Sequence, residues 1–510
     1  MTRPRKNSEV DHHSLYKRTS ILKNPEEQVE RRAAHAETLR KKHREQLITA
    51  KRFRNLTRQE EYESMGEEEP EDEKKDEHDD DISPYYRMTS AQVEGLAKRL
   101  RSKEAIIRRD AVSYLGERVL EPAEALIQYI SHGDCIQVLT QMITGPDIEE
   151  QVEATKTISN IAAGPYELWK QSILTIPYLI ALLDSENMSL REIAAGALGN
   201  IAAEDLGDMN DEDDKTRAVI RDNGAIRPLA RMLDSGDAIL VQSACFALAN
   251  LSRGEEKELE EFLHANVVDK LLHHLVNDSH DTIVEVCWAI SYLTAGSEKC
   301  RQVFMEKNIA EPLVKTMVNL FDQGTTVLPA LRISGNLCAK EEYLATLAEQ
   351  PYFLSTLSRL IKSEERVIKK EALWVLSNIT TTDNLKIVEQ LEELNASKSL
   401  SELMTGGAFD IRKGAAYCIM NIVNHGQDHL ESLCEKKLLV SFLDLLRSQE
   451  AEMIRLALGY IELLLTKSSK GKEVIDNTPE CMEALAAVTP VPDPELFAFA
   501  NKLVDEYFQE

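Results

Sequence analysis

The chain has 510 residues, of which 43% are hydrophobic and only 5% aromatic, and a formal net charge of −27. That length exceeds what one hydrophobic core serves, so a repeat array or several domains is expected, and the composition favours closely packed helices over a sandwich or barrel. The charge is uneven: residues 1–56 hold 15 Lys/Arg against 7 Asp/Glu, and the acidic remainder would repel phosphate, so direct nucleic-acid binding is not expected.

The first 57 residues form a basic arm. Glu26–Arg54 is free of Gly and Pro and rich in Arg, Lys, Glu, Gln and Ala, a helical composition with too few apolar residues for a core of its own, so it needs a partner to become an ordered helix. Residues 58–84 read as an acidic linker, dominated by carboxylates from Glu60 to Asp81.

From residue 85 a pattern recurs: a helix rich in small residues closing on Asn and an aliphatic residue, as in TISNIAAG, ALGNIAAE, FALANLSRG, WAISYLTAG, RISGNLCAK, WVLSNITTT and YCIMNIVNHG. Its key positions are Asn160, Asn200, Asn250, Tyr292, Asn336, Asn378 and Asn421, a period near 42 residues with one interval of 50. That is the period of armadillo or HEAT units. A short helix and a longer apolar one (IPYLIALL, IRPLARML, VDKLLHHL) precede each such helix, giving three helices per unit and favouring armadillo repeats. The expected fold is all-α: a right-handed superhelical solenoid of about ten repeats over 85–510, the last atypical, with a long concave surface. The 50-residue interval is assigned to an insertion, Glu204–Asp214, read as an acidic loop.

Asn is a mediocre helix former, so its return at one phase of each repeat points to a use for the carboxamide. If the third helices line the concave face, the Asn side chains form a ladder able to bond the N–H and C=O groups of an extended peptide; the plainer alternative is that they cap or bridge neighbouring helices and that Trp288, Trp374, Phe246 and Tyr417 are plain core residues. One turn earlier on the same face stand Lys156, Gly196, Phe246, Trp288, Arg332, Trp374 and Tyr417. The aromatic members of this set would hold Lys and Arg stems and charges, with Glu204, Glu342 and Glu371 as counter-charges.

The eight cysteines are scattered, without Cys-x-x-Cys pairs or a His cluster, and read as small buried residues of a reduced compartment. No metal site or cofactor is expected. Neither a phosphate loop nor a nucleophile elbow is present, so no enzyme is expected. His12-His13 and His273-His274 are expected to be solvated. With no stretch of eighteen apolar residues, membrane insertion is not expected, and the chain reads as soluble and intracellular.

The segment RRAAHAETLRKKHREQLITAKRFRN, Arg31 to Asn55, resembles the importin-beta-binding domain of the importin alpha (karyopherin alpha) family. KKEALWVLSNIT, EVCWAISYLTAG and PALRISGN resemble that family's repeats, and FANKLVDEYF its last helix. The resemblance implies a nuclear import adaptor that holds basic localisation signals of cargo proteins in its groove and links them to importin beta. An export receptor with Ran-GTP would recycle it, and it would shuttle between cytoplasm and nucleus. A specialised scaffold with one dedicated protein partner is the alternative.

Carried over residue by residue, importin beta would be met by Arg31, Arg32, Leu39, Arg40, Lys41, Lys42, Arg44, Lys51, Arg52 and Arg54. A major groove site would comprise Lys156, Asn160, Gly164, Gly196, Asn200, Glu204, Phe246 and Asn250. A minor site would comprise Trp288, Tyr292, Arg332, Asn336, Glu342, Glu371, Trp374, Asn378, Tyr417 and Asn421. Where the family carries Trp before each Asn of the major site, this chain has Lys156, Gly196 and Phe246. Trp169 replaces a small hydroxyl residue, and Gly414 stands at a Glu position of the minor site.

Overall fold

The computed structural model describes residues 88–203, 212–252, 259–448, 450–489 and 494–508. The arm, the linker and the start of the acidic insertion lie outside them. Every regular element among the described residues is helical, and they fall into two compact units, 88–336 and 337–508.

In the first unit Ser90–Leu100 opens the array. Thr89 starts it with a reciprocal cap: the Gln92 backbone N–H donates to its hydroxyl and its own N–H donates to the Gln92 side chain. The long third helices follow as α1 (Ala105–Arg118), α2 (Ile148–Ala163), α3 (Met188–Ala202), α4 (Ala238–Leu251), α5 (His280–Gly296) and α6 (Leu328–Leu337), the last ending at the start of the second unit. Two shorter helices precede each from α2 on, for example Tyr166–Ser172 and Ile176–Leu182 before α3. Asp147, Asn187 and Asp237 cap α2, α3 and α4 with side-chain oxygens, each accepting from backbone N–H groups of the first turn.

Helices α1 to α5 pack in succession, each on the next. Side-chain hydrogen bonds and ion pairs tie neighbours together. Near their starts Arg108 meets Glu150 at 2.5 Å, and the Gln242 amide donates to Thr282 Oγ1 at 3.1 Å. Midway along, Thr157 Oγ1 donates to the Val112 carbonyl at 3.1 Å, and near the ends the Asn160 amide donates to the Gly116 carbonyl at 3.1 Å. The spine is small and aliphatic: Ala154, Ile158, Ala194, Leu198, Ala244 and Leu248 are all buried, and neighbouring backbones therefore approach closely. A Cβ on Gly199 would sit 2.5 Å from the Phe246 ring, so that ring packs directly against the α3 backbone.

In the second unit α7 (Arg366–Ile379), α8 (Phe409–Val423) and α9 (Ala451–Lys467) are the third helices, and Pro494–Tyr507 closes the described chain. α7 packs on α8 and α8 on α9. Among the described residues, five of the turns between first and second helices use a left-handed residue: Gly224, Asn266 and Asn308 in the first unit, Tyr352 and Asn395 in the second. Gly and Asn suit that conformation; Tyr352, at φ +70°, does not.

The three-helix reading of the repeats agrees with this architecture. One boundary differs: a helix runs from Glu212 to Asp222, so the last three residues of the expected acidic loop open a helix instead, while 204–211 lie outside the described residues. All eight cysteines are buried.

Candidate functional site

The ladder amides are anchored by the repeat before them. In the first unit, Asn160 Nδ2 donates to the Gly116 carbonyl at 3.1 Å and Asn200 Nδ2 to the Ser159 carbonyl at 3.2 Å. Asn250 turns back on its own helix, donating to Phe246 O at 3.1 Å. Asn336 Nδ2 reaches both the Ser291 carbonyl, at 3.0 Å, and Thr294 Oγ1, at 3.1 Å. The second unit repeats that motif: Asn421 Nδ2 donates to Ser377 O at 2.9 Å and Thr380 Oγ1 at 3.0 Å. The threonine hydroxyls pass their own protons to backbone carbonyls of the same helices. Asn378 is buried on α7 and Tyr292 on α5. The sequence reading offered helix bridging only as an alternative and did not see the receiving group; its signal is the Ser-x-x-Thr pair one repeat earlier, Ser291/Thr294 and Ser377/Thr380.

One turn before the ladder, the first unit is varied. Lys156 is half-buried and its Nζ lies 2.8 Å from Glu153 Oε1. Gly196 offers no side chain, and Phe246 is buried on Gly199. Trp288 is half-buried, with Tyr292 beside it at 6.5 Å between ring centroids. Over its face lies the guanidinium of Arg332, 5.3 Å from the ring centroid. The two ladder-face residues thus meet each other, and the indole already carries a cation supplied by the chain.

In the second unit Trp374 is buried on α7 and Tyr417 half-buried on α8, and Glu371, one turn before Trp374, is buried as well. Glu342 is exposed, 3.6 Å from Lys340 Nζ. Gly414 sits against Leu373, whose Cβ a methyl group there would approach to 3.0 Å, so a larger residue at this helix contact requires Leu373 to shift.

Gly164 ends α2, with Leu168 and the Ile161 carbonyl against it. Trp169 is buried; its indole N–H donates to the Ile201 carbonyl at 3.1 Å, and its ring stacks on Tyr166 with centroids 5.7 Å apart. It ties the end of α3 to the first helix of its own repeat. Glu204 and the arm positions from Arg31 to Arg54 lie outside the described residues. His274 departs from the solvated expectation: it is buried, with Nε2 2.5 Å from the Leu233 carbonyl and Nδ1 2.5 Å from Asp278 Oδ2. No metal-ligand cluster occurs among the described residues, and no described helix is long and apolar enough to cross a membrane.

Three-helix units with a buried Asn at one phase, each stacked on the last, define an armadillo-repeat protein. The armadillo/beta-catenin-like repeat model matches residues 175–203 and 213–253, across α3 and α4. The backbone is similar to the crystal structure of an engineered protein from the Northeast Structural Genomics Consortium, with a TM-score of 0.70 at 24% identity, covering 82% of this chain and 98% of that one. Among curated proteins, the chain is 28% identical over 505 residues to importin subunit alpha-9 of Arabidopsis thaliana, covering 94% of each. It is 27% identical over 536 aligned positions to importin subunit alpha-2 of Oryza sativa subsp. japonica, covering 99% of this chain and 97% of the relative. Over nearly its whole length the chain is thus similar to importin alpha subunits, and that similarity supports a general role as a nuclear import adaptor.

Proposed function

We propose that the chain reads basic localisation signals of cargo proteins along its third-helix ladder and joins them to importin beta through residues 31–54. The observation that carries this reading is the near full-length similarity to importin alpha subunits, one match spanning 99% of the chain and so taking in the basic arm with the repeats. The arm's charges would lie along a helix of roughly 35 Å, at about 1.5 Å per residue, formed on binding an acidic carrier. An export receptor with Ran-GTP then returns the adaptor to the cytoplasm.

Within the groove the share of the work is uneven. Tyr417 of the second unit, only half-buried, offers an aromatic face to a ligand cation, while Trp374 and Glu371 lie buried on α7. In the first unit Lys156, Gly196 and Phe246 stand where aromatic slots would be, and Lys156 opposes an incoming lysine. Each aromatic slot is worth roughly 0.5 to 2 kcal/mol, so the later repeats dominate affinity. The same departures favour a second reading, a scaffold that keeps the importin-beta arm but serves one dedicated partner.

The test is calorimetric titration of the full chain with a lysine-rich localisation peptide and with importin beta. The variant Trp374→Ala/Asn378→Ala is expected to lose more peptide affinity than Asn200→Ala/Asn250→Ala, with importin-beta affinity unchanged in both. Importin-beta binding without peptide binding selects the dedicated scaffold. Absence of importin-beta binding contradicts both readings.

A further inference from the structure

The described residues begin on the wall of a cleft. Met88 lines an opening of about 980 Å³ in the first unit, between the helix Ser90–Leu100 and the helix Glu124–His132. Val93 and Ala97 are its buried residues, Ala125 and Tyr129 are half-buried on the facing helix, and the exposed Glu94 and Glu124 bring carboxylates to its rim. A space of that size, apolar within and polar at its edge, has the character of one that takes a ligand or inserted side chains.

The cap of Ser90–Leu100 sets the direction from which the chain arrives. Thr89 is extended, at φ −78° and ψ 159°. Met88, just before this cap, and Val93, at the fourth helical position, are the pair that packs together in a hydrophobic staple; both line the cleft, so the chain enters the helix along its mouth. In an extended chain alternate residues share a side, which brings Tyr86 to the side of Met88, at most about 7 Å away at roughly 3.3–3.6 Å per residue. Pro84 favours that extended course, since it disfavours the helical region for Ser83. Residues 82–87 lie outside the described ones, but their composition fits the cleft. Residues 60–81 are dominated by carboxylates, whereas 82–87, ISPYYR, carry no acid, two adjacent tyrosines and an arginine in a chain only 5% aromatic. A rim with two carboxylates repels the first stretch and attracts the second, and a tyrosine, apolar in the ring and polar at the tip, suits an apolar wall with a polar edge.

We infer that this cleft is the seat of the chain's own residues 82–87. The Tyr86 ring enters between Val93, Ala97 and Tyr129, and Arg87, on the alternate side of the extended segment, meets the rim carboxylates of Glu94 and Glu124. The contact fixes the point at which the acidic stretch leaves the array, so the reach of residues 1–81 is measured from the surface of the first repeat. None of the ladder residues takes part, and the seat does not depend on what the groove binds.

The experiment uses the full chain carrying Ala125→Cys, a thiol placed on the cleft while the eight native cysteines are buried. Labelling of position 125 by fluorescein maleimide, mapped by mass spectrometry, should quicken at least tenfold when Tyr86→Ala is added and stay within twofold with Tyr85→Ala, thermal unfolding being preserved in each. Glu94→Lys/Glu124→Lys should quicken it as well. Oxidation of Tyr86→Cys/Ala125→Cys should give an intramolecular bridge, which needs Cα atoms about 4.4–6.8 Å apart, at least fivefold more fully than Tyr85→Cys/Ala125→Cys. Equal labelling with and without Tyr86 overturns the proposal, because the cleft is then vacant in the free chain and belongs to another molecule. Equal bridging from positions 85 and 86 overturns it too, reducing the contact to nearness along the chain. Unchanged labelling in the rim variant overturns the role given to Arg87, and a bridge that joins two chains, seen as a doubled mass, assigns the cleft to a second copy instead.

Discussion

Replacing Asn421 by Ala probes whether the ladder amides hold repeats together as the geometry indicates. The change removes donation to Ser377 O at 2.9 Å and to Thr380 Oγ1 at 3.0 Å. It leaves a fully buried threonine hydroxyl and a helix carbonyl short of one donor. A protein hydrogen bond contributes about 1 kcal/mol net, and an abandoned buried partner costs about 1–3 kcal/mol, so a loss of about 2 kcal/mol between α7 and α8 is expected. Repeat arrays need not unfold all at once, so the suitable assay is native-state hydrogen exchange of the α7 and α8 amides rather than a single melting midpoint. Thr380→Ala should cost less, because the Ser377 carbonyl still accepts from Asn421. The double variant should cost less than the sum of the two, with a coupling of about 1 kcal/mol. Protection in Asn421→Ala within about 0.5 kcal/mol of the parent, or strict additivity, would refute the clasp.

Tyr352→Asn should raise the stability of the second unit by about 1 kcal/mol, since a 72% exposed Tyr at φ +70° gives way to a residue that tolerates this conformation; urea unfolding showing no gain would remove strain from that turn. Arg332→Ala should destabilise the first unit by about 1–2 kcal/mol through loss of the cation over Trp288, with Arg332→Lys intermediate, both measured by thermal unfolding. Burial pushes the Cys135 and Cys287 thiols up to about 12 and Cys481 up to about 11. At pH 8 these sites therefore stay protonated in the folded chain, and alkylation mapped by mass spectrometry should mark them only after denaturation. Rapid native labelling of any of the three would contradict the packing.

How much of this was legible varied with the range of the interaction. The recurring Asn, the apolar helix before it and the three-helix unit follow from local periodicity, and the structure keeps them. The direction of each carboxamide does not, because the receiving group lies one repeat away: Ser291 and Thr294 for Asn336, Ser377 and Thr380 for Asn421. Trp288 and Arg332 stand one repeat apart on the ladder face in the sequence, and only the guanidinium lying over the indole across neighbouring helices shows that they pair. Phe246 reads as an aromatic slot until Gly199 is seen to leave room for its ring. His274 looked solvated beside His273 because its carbonyl partner, Leu233, comes from the repeat before. In a solenoid the missing information is systematically that of the nearest-neighbour interface, which no single repeat contains.

The central claim is that this chain couples basic cargo to importin beta for import. Nuclear uptake in digitonin-permeabilised cells tests it most directly, using fluorescent cargo that bears a lysine-rich localisation signal, purified importin beta, Ran and an energy-regenerating mix. The full chain should support uptake that fails when importin beta is omitted. Arg40→Ala/Lys41→Ala/Lys42→Ala/Arg44→Ala and Trp374→Ala/Asn378→Ala should each reduce it severely, the first by losing the carrier and the second by losing the cargo. Uptake no greater than without the chain, or full uptake by the arm variant, would contradict the account.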